Sequence, residues 1–314
     1  MQESARIVVE DCLGVIESEE VLIIIDEKTR RIGAYLFDAV KSLGAEAVIL
    51  EIVERESHGS EPPRLVAEAM KSADVVIAPT SKSLTHTKAR LEATRKGVRI
   101  ASMPTITEDI MRRTMSTDYT KIRERSQKLA DLLSQGKEAR LTTPAGTDLV
   151  FLIEGREAHA DTGDIRAKGA MSNLPAGEAY IAPIEGRTSG MAVIDGSMAG
   201  IGVIKTPIKI EIKSGYATEI SGGDEAKALS DLLHNKGAEA KNIAELGIGT
   251  NEKAIPSGNF LEDEKVMGTA HVAIGDNSTF GGSVKVPLHL DGIMQKPTLT
   301  IDGQTVIRDG EHLV

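Results

Sequence analysis

This sequence contains no tryptophan and only one cysteine, and aromatic residues make up 3% of its 314 residues. A lone cysteine excludes an intrachain disulfide framework and a cysteine-rich zinc module. The scarcity of aromatic side chains leaves little for the stacking platforms that bind single-stranded nucleic acids. Basic residues are also in the minority, since 37 Lys and Arg face 47 Asp and Glu, for a formal net charge of −10. We therefore expect no nucleic-acid partner, because nucleic-acid binding needs a basic surface.

Long hydrophobic runs are absent as well. The longest apolar stretches, such as Val21–Ile25 and Ala47–Leu50, are far shorter than the roughly 20 residues that a membrane span requires. The acidic N-terminus does not have the charged and then apolar pattern of a secretory signal peptide. We expect a cytoplasmic protein with no membrane partner, and its length favours two domains.

The first part of the chain alternates short apolar runs with helical patterns. The predicted strands are continuous apolar segments, namely Val21–Ile25, Ala47–Leu50, Asp74–Ala78 and Val98–Ala101. Such strands, separated by helices, are typical of a parallel sheet covered on both faces. Residues 1–135 are therefore predicted to form a layered α/β domain of Rossmann-like or flavodoxin-like type. Neither a G-x-G-x-x-G fingerprint nor a phosphate-binding P-loop motif is present, so nucleotide binding is not expected.

After Gly136 the pattern changes to short segments of alternating polarity. These segments are typical of antiparallel strands, and a single helical pattern at Glu225–Lys236 interrupts them. Residues 136–314 are therefore predicted to form a β-rich α+β domain. The residues that suggest chemistry lie in this part of the chain.

A histidine and a carboxylate are spaced two residues apart on one predicted strand. Because side chains alternate along a strand, His289 and Asp291 point to the same face. Such a pair can bind a divalent ion, or the carboxylate can simply hydrogen-bond the imidazole within a protein core. The spacing alone leaves both interpretations open.

Three further polar residues lie in apolar β segments. His271 follows Gly268 in an apolar strand, and Glu178 and Glu245 each occupy an otherwise apolar segment. A carboxylate buried without a partner costs several kcal/mol or more, so these groups must be paired or bound to metal. Three carboxylates and two imidazoles from separate segments are a plausible ligand set for two metal ions.

Four segments resemble a known family of enzymes. Asn173–Pro183, Ala244–Gly247, His271–Gly275 and His289–Asp291 are similar, in order and spacing, to motifs of the aminopeptidase T family of metallo-aminopeptidases, which includes aminopeptidase S and PepS. The resemblance extends from about Arg140 to the end of the chain. It implies a homodimeric hydrolase that removes N-terminal residues from small peptides with two divalent ions, Zn, Co or Mn.

The resemblance also implies a set of site residues. The positions that match the family's metal ligands are Glu178, Glu245, Glu264, His271, His289 and Asp291. In a two-metal hydrolysis the ions activate a water, and a carboxylate carries a proton to the leaving amine. Glu264 and Glu178 are the candidates for that catalytic role. A tyrosine that the family carries shortly after the first histidine has no counterpart in Asp276–Phe280.

A second chemistry belongs to the same resemblance. Ring-opening dioxygenases that act on dihydroxypyridines look like relatives of these peptidases and use one Fe(II) held by two histidines and one aspartate. His271, His289 and Asp291 match that triad, which leaves coordination positions for substrate and O₂. The presence of Glu178 and Glu245 favours the two-metal aminopeptidase as the main prediction. A descendant that binds a small ligand without this catalysis is the third hypothesis.

Overall fold

The computed structural model describes residues 1–314 as eight α-helices and twenty β-strands. The helices are α1 (Gln2–Arg6), α2 (Arg30–Ser42), α3 (Arg64–Met70), α4 (Lys88–Arg95), α5 (Glu108–Thr114), α6 (Tyr119–Gln135), α7 (Asp224–Leu233) and α8 (Phe260–Asp263). The strands are β1 (Glu20–Ile25), β2 (Glu46–Glu51), β3 (Val75–Ala78), β4 (Arg99–Ser102), β5 (Glu138–Thr142), β6 (Asp148–Leu152), β7 (His159–Asp161), β8 (Met171–Asn173), β9 (Glu178–Ile181), β10 (Thr188–Ile194), β11 (Ser197–Met198), β12 (Gly202–Val203), β13 (Ile208–Lys213), β14 (Tyr216–Ser221), β15 (Ile243–Gly249), β16 (Thr269–Gly275), β17 (His289–Gln295), β18 (Thr298–Ile301), β19 (Gln304–Arg308) and β20 (Glu311–His312). None of the helices combines the length and the apolar character needed to cross a membrane.

The chain divides into two compact units. Unit 1 comprises residues 1–120 and 161–176, and unit 2 comprises residues 121–160 and 177–314. This partition is not the same as the predicted boundary after residue 135, because most of α6 lies in unit 2 and β8 returns to unit 1. Hydrophobic periodicity does not reveal such a return, since a strand of three residues is too short to carry a periodic signal.

Unit 1 contains a parallel sheet, as the sequence predicts. Its five strands lie in the order β2-β1-β3-β4-β8, and the paired neighbours run parallel. Five of the six residues of β1 and all four of β3 are buried, which explains why their sequences are continuously apolar. Helices α3 and α4 contribute Val66, Met70 and Ala93 to the core beside these strands. The predicted fold class, a layered α/β domain followed by a β-rich α+β domain, is confirmed.

Unit 2 consists of two antiparallel sheets with a shared apolar core. One sheet has the strand order β14-β13-β10-β6-β5-β18-β19-β20, and the other has β12-β11-β17-β16-β15-β9-β7. Strands β5 and β6 form a hairpin around residue 145 and pair antiparallel. Phe151, Leu246 and Val272 belong to one core cluster together with residues of α6 and α7.

Four neighbouring strands of the second sheet bring together the polar segments noted in the sequence. In this sheet β9 pairs with β15, β15 with β16, and β16 with β17. Strands β15 and β16 are buried along their whole length. Any polar side chain on these two strands therefore lies inside the protein and needs a partner there.

Candidate metal centre

The carboxylate and histidine side chains of the four central strands each face a very small residue on a neighbouring strand. Glu178 is paired with Gly249, His271 with Gly247, and His289 with Gly275. Asp291 and Glu245 both align with Ala273. Because cross-strand neighbours share a face of the sheet, glycine and alanine leave room for the larger polar groups. These paired small residues open a pocket on one face of the sheet.

The carboxylates and imidazoles converge in this pocket. Nε2 of His271 lies 3.1 Å from Oε1 of Glu245 and 3.2 Å from Oε2 of Glu178. Nε2 of His289 lies 3.5 Å from Oε2 of Glu245 and 3.3 Å from Oδ1 of Asp291. Glu245 therefore links the two histidines, one through each of its oxygens.

Glu264 and Lys265 complete the group on its other side. Both directly follow α8, and Nζ of Lys265 contacts Oε1 of Glu178 and, at 3.0 Å, Oε2 of Glu264. The carboxyl groups of Glu264 and Asp291 also interact electrostatically. The side chains form one connected cluster, which we call the acidic ring: Glu178, Glu245, Glu264, Lys265, His271, His289 and Asp291.

Burial and mutual attraction shift the pKa values of the acidic ring. Burial raises the pKa of Glu178, but the ammonium of Lys265 and the imidazole of His271 outweigh burial and bring this pKa below its usual value. Burial raises the pKa of Glu264 well above its usual value. Burial lowers the pKa of His289, but the carboxylates of Asp291 and Glu245 and the backbone of Asp276 outweigh it and raise the pKa to about 10. A cation that binds the imidazoles here must compete with protons.

The donor atoms of the acidic ring fit a metal ion. Each histidine Nε2 faces carboxylate oxygens of two residues, although one N–H can serve only one acceptor well. Oε2 of Glu178 and Oδ1 of Asp291 are buried, and the histidine Nε2 atoms that lie 3.2 and 3.3 Å from them do not meet hydrogen-bond geometry. A cation satisfies several such acceptors at once, and buried charges are normally either paired or metal-bound. The chemistry of this donor set, imidazole nitrogen and carboxylate oxygen, suits a divalent transition metal.

All six residues that the sequence predicts as ligands are brought together. Two groups have their ligand atoms within 4.8 Å of one another: Glu178, Glu245 and His271, and Glu245, His289 and Asp291. The triad of His271, His289 and Asp291 is not one of these groups, because Glu245 lies between the two imidazoles. The assignment of metal ligands stays a prediction, since donor groups of this kind also occur without an ion.

One backbone group orients a histidine of the ring. Nδ1 of His289 lies 2.8 Å from the carbonyl oxygen of Asp276, which accepts its N–H. This hydrogen bond leaves Nε2 as the nitrogen that faces the carboxylates. A metal-binding histidine usually donates its other ring N–H in a hydrogen bond of this kind, which fixes the orientation of the ring.

Ring side chains lie in contact with one another beside His289 of the acidic ring. Tyr180 and Phe280 lie with ring centroids 5.5 Å apart at an interplanar angle of 79°. Phe280 contacts the His289 ring edge-on at 5.8 Å, and His159 lies 5.4 Å from Tyr180. The protein has only four phenylalanines and four tyrosines, so the presence of two of them beside the acidic ring is a local concentration.

Several of these residues carry little signal in the sequence. Lys265 follows three acidic residues and looks like a solvated lysine, yet it is 1% exposed. Asp276 acts through its carbonyl oxygen, which no side-chain pattern reports. Gly247 lies in an apolar strand, and the only signal for its role is that it follows Glu245 on the same face.

Comparisons with known proteins cover between 77% and all of the chain. A model of the family described as "NicX: 2,5-dihydroxypyridine 5,6-dioxygenase" matches residues 2–314. A 2,5-dihydroxypyridine 5,6-dioxygenase of Pseudomonas putida KT2440 is 24% identical over 261 residues, which cover 77% of this chain and 72% of the relative. The solved structure of the 2,5-dihydroxypyridine dioxygenase from Pseudomonas putida KT2440 has a TM-score of 0.86 at 20% identity and covers 100% of this chain and 97% of its own. Wild-type AmpT from Thermus thermophilus has a TM-score of 0.76 at 16% identity, covering 100% and 98%.

These matches contradict the main functional prediction. The assignment as a metallo-aminopeptidase, and with it the hydrolase class, is wrong, because the family match and the curated relative both carry a dioxygenase description. The likeness to aminopeptidases holds only at the level of the fold. The prediction failed because the motifs used for it, two histidines and buried carboxylates on paired strands, are donor types that serve either chemistry. The predicted homodimer stays a prediction.

Proposed function

This chain belongs to the 2,5-dihydroxypyridine 5,6-dioxygenase family, and from that premise we propose that it is a metal-dependent dioxygenase that opens the ring of a hydroxylated pyridine. The observation that carries the proposal is the buried acidic ring, in which both histidine Nε2 atoms face carboxylates. A ring-opening dioxygenase needs a redox-active metal held by such donors. This function is the alternative that the sequence left open beside the aminopeptidase.

We propose Fe(II) as the metal, held by His271, His289 and Asp291, with Glu245 between the two imidazoles as a further donor. When bound, Fe(II) supplies a redox-active centre with coordination positions available to substrate and O₂. The carbonyl of Asp276 holds the Nδ1 proton of His289, so that this histidine offers Nε2 as a neutral donor.

The reaction balances without a further reductant. In 2,5-dihydroxypyridine, breaking the C5–C6 bond with insertion of both oxygen atoms turns C5 into a carboxylic acid and C6 into a formyl group on nitrogen. The product has the composition of substrate plus O₂. The residues of this chain therefore need to hold the ring, exclude water and orient the donors, and no second cofactor is required.

The aromatic lining supports a planar substrate. Phe280 lies beside His289, and Tyr180 lies beside Phe280. Offset or edge-on contacts between aromatic rings are favourable by about 0.5–1.5 kcal/mol each. A pyridine ring that contacts these side chains lies next to the acidic ring. A flexible peptide gains less from such flat surfaces.

Oxygen uptake tests the proposal. Protein loaded with Fe(II) under anaerobic conditions is mixed with 2,5-dihydroxypyridine and air-saturated buffer, and O₂ consumption is recorded with substrate absorbance. We expect equal amounts of O₂ and substrate to be consumed, and ¹⁸O₂ to place two labelled atoms in the product. His289→Ala and Asp291→Ala should lower the rate on the order of 100-fold or more, because each removes a proposed metal ligand.

An exposed histidine provides the matched control. His234 follows α7 and is exposed, so His234→Ala should leave oxygen uptake unchanged. Hydrolysis of an aminoacyl-anilide, followed in the same preparations loaded with Zn or Co, should stay at background. If Fe(II)-loaded protein consumes no O₂ with any dihydroxypyridine, the proposed function is wrong.

A further inference from the structure

A buried lysine is part of the acidic ring. Lys265 is 1% exposed, and its ammonium contacts the carboxylates of Glu178 and Glu264. Its backbone is fixed on both sides, since its N–H donates to the carbonyl of Glu262 at 2.9 Å and its carbonyl accepts from Asn251 at 2.9 Å. Lysine is almost never fully buried unless it is paired, and both partners of this side chain are carboxylates of the acidic ring.

The acidic ring contains more donors than one ion requires. Its carboxylates and imidazoles fall into two groups that share Glu245, an arrangement that also suits two ions about 3.5–4 Å apart. One group includes Glu178, whose Oε1 contacts Lys265, and Glu264 on the same side contacts the same ammonium. The other group consists of Glu245, His289 and Asp291. In this group Glu245 lies close to both imidazoles and Asp291 lies close to that of His289, while Asp291 also interacts with Glu264.

We propose that the ammonium of Lys265 takes the place of a second metal ion, so that the acidic ring binds one divalent ion and not two. Lys265 engages Glu178 and Glu264 and thereby removes both carboxylates from the ligand set. The donors that remain are His271, Glu245, His289 and Asp291. A second divalent ion at Glu178 would lie beside a positive charge that is fixed by the backbone and cannot move to solvent. This inference rests on the proposed metal site and specifies how many ions it holds.

Metal counting on the wild-type protein and one charge-removing variant tests the inference. Lys265→Met keeps a long unbranched side chain and removes the charge. After incubation with Mn(II) and desalting, elemental analysis should give about one Mn per chain for the wild type and about two for Lys265→Met. Lys265→Arg, which keeps the charge, should bind about one.

The electron paramagnetic resonance spectrum gives a second readout that does not depend on activity. One isolated Mn(II) gives a six-line signal, whereas two ions that share the Glu245 carboxylate give an exchange-coupled signal with more lines. We expect the coupled signal in Lys265→Met only. Lys285→Met removes the same charge from an exposed position and should leave both the count and the spectrum unchanged.

The inference stays testable if Lys265→Met does not fold. Removing the ammonium leaves two buried carboxylates without their cation, which is strongly destabilising, and Mn(II) supplied during expression should then restore soluble protein. If Mn(II) does not restore soluble protein, the variant Glu178→Gln provides the test. This variant leaves His271, Glu245, His289 and Asp291 in place, so we expect it to bind about one Mn(II) per chain. Two ions in the wild type, falling to one in Glu178→Gln, would overturn the inference.

These outcomes are separate from those that test the proposed function. Mn(II) counting uses no pyridine and no O₂. One ion together with no oxygen uptake contradicts only the function, and two ions in an active dioxygenase contradict only the role of Lys265.

Discussion

Gly247 lies directly against the imidazole of His271. A Cβ at this position would be 2.0 Å from Nε2 and 2.3 Å from Cε1 of that ring. His271 is completely buried, so the ring has little room to move away. The position of the His271 ring therefore requires that residue 247 has no side chain.

The substitution Gly247→Ala should weaken metal binding without unfolding the protein. The added methyl group displaces the tip of the His271 side chain and not a backbone atom, so the strand pairing can persist. We expect the dissociation constant for Mn(II) to rise by about 10- to 100-fold, the usual cost of disturbing a metal ligand's support. Isothermal titration calorimetry measures this dissociation constant.

Thermal unfolding in the presence of a chelator is the control for Gly247→Ala. The metal-free variant should still unfold in one cooperative transition, at a melting temperature lower than that of the wild type because the added methyl group crowds the buried His271 ring. Unchanged Mn(II) affinity would show that His271 does not bind the ion.

At the scale of elements, the connection between β16 and β17 forms the aromatic side of the pocket. This segment carries Phe280 and is held by Glu185, which accepts hydrogen bonds from Asn277 Nδ2 at 3.1 Å and from the backbone of Ser283 at 2.7 Å. Arg156 contacts the Glu185 carboxylate and the carbonyl of Gly281. Two charged groups from outside the segment thus fix the position of Phe280.

Replacing Arg156 with glutamine should affect substrate binding and leave metal binding intact. The variant loses the hydrogen bonds between Arg156 and the Glu185 carboxylate, and a hydrogen bond to a charged group contributes about 1.5–3 kcal/mol. Water that hydrogen-bonds the freed carboxylate offsets part of this loss. We expect KM for the dihydroxypyridine to rise about 3- to 10-fold, with the metal content unchanged. Steady-state oxygen uptake measures KM.

An arginine in an exposed ion pair is the comparison for Arg156. Arg140 pairs with Asp148 across β5 and β6 at the surface, and Arg140→Gln should not change KM. A wild-type KM in Arg156→Gln would mean that the segment does not contact the substrate.

At the scale of the whole molecule, the proposed metal site predicts that the ion stabilises the fold. An ion that binds only the native state stabilises it by about 2.7 kcal/mol at 100 times its dissociation constant. We therefore expect Mn(II) to raise the melting temperature by about 5 °C in a chain of this size, and a chelator to reverse the shift. Differential scanning fluorimetry measures this change.

The location of the stabilisation distinguishes a specific site from weak surface binding. Hydrogen exchange should slow in β9, β15, β16 and β17 on addition of Mn(II) and stay unchanged in β1 and β3. The double variant His289→Ala and Asp291→Ala should lose the shift in melting temperature. A shift of equal size in that variant would assign the binding to surface carboxylates.

The sequence by itself determined the local structure and the inventory of the site. Continuous apolar runs predict the buried parallel strands of unit 1, because a strand covered on both faces has no polar side. The spacing of His289 and Asp291 places both side chains on one face, and the apolar neighbours of Glu245 and His271 require that these groups have partners. All six candidate ligands proved to lie in one cluster.

Only the tertiary structure decided how these residues are arranged. Lys265 and Glu178 are 87 residues apart, and no local pattern reports that an ammonium meets that carboxylate. The return of β8 to the first sheet and the glycines opposite the polar side chains likewise depend on long-range strand pairing. Neither the motifs nor their spacing could distinguish a hydrolase from a dioxygenase, because the same donor atoms serve either reaction. The family match distinguishes them. Hydrophobic periodicity indicates on which face of its strand a residue lies. The chemistry of a site depends on which residues of different strands come into contact, and long-range packing determines that.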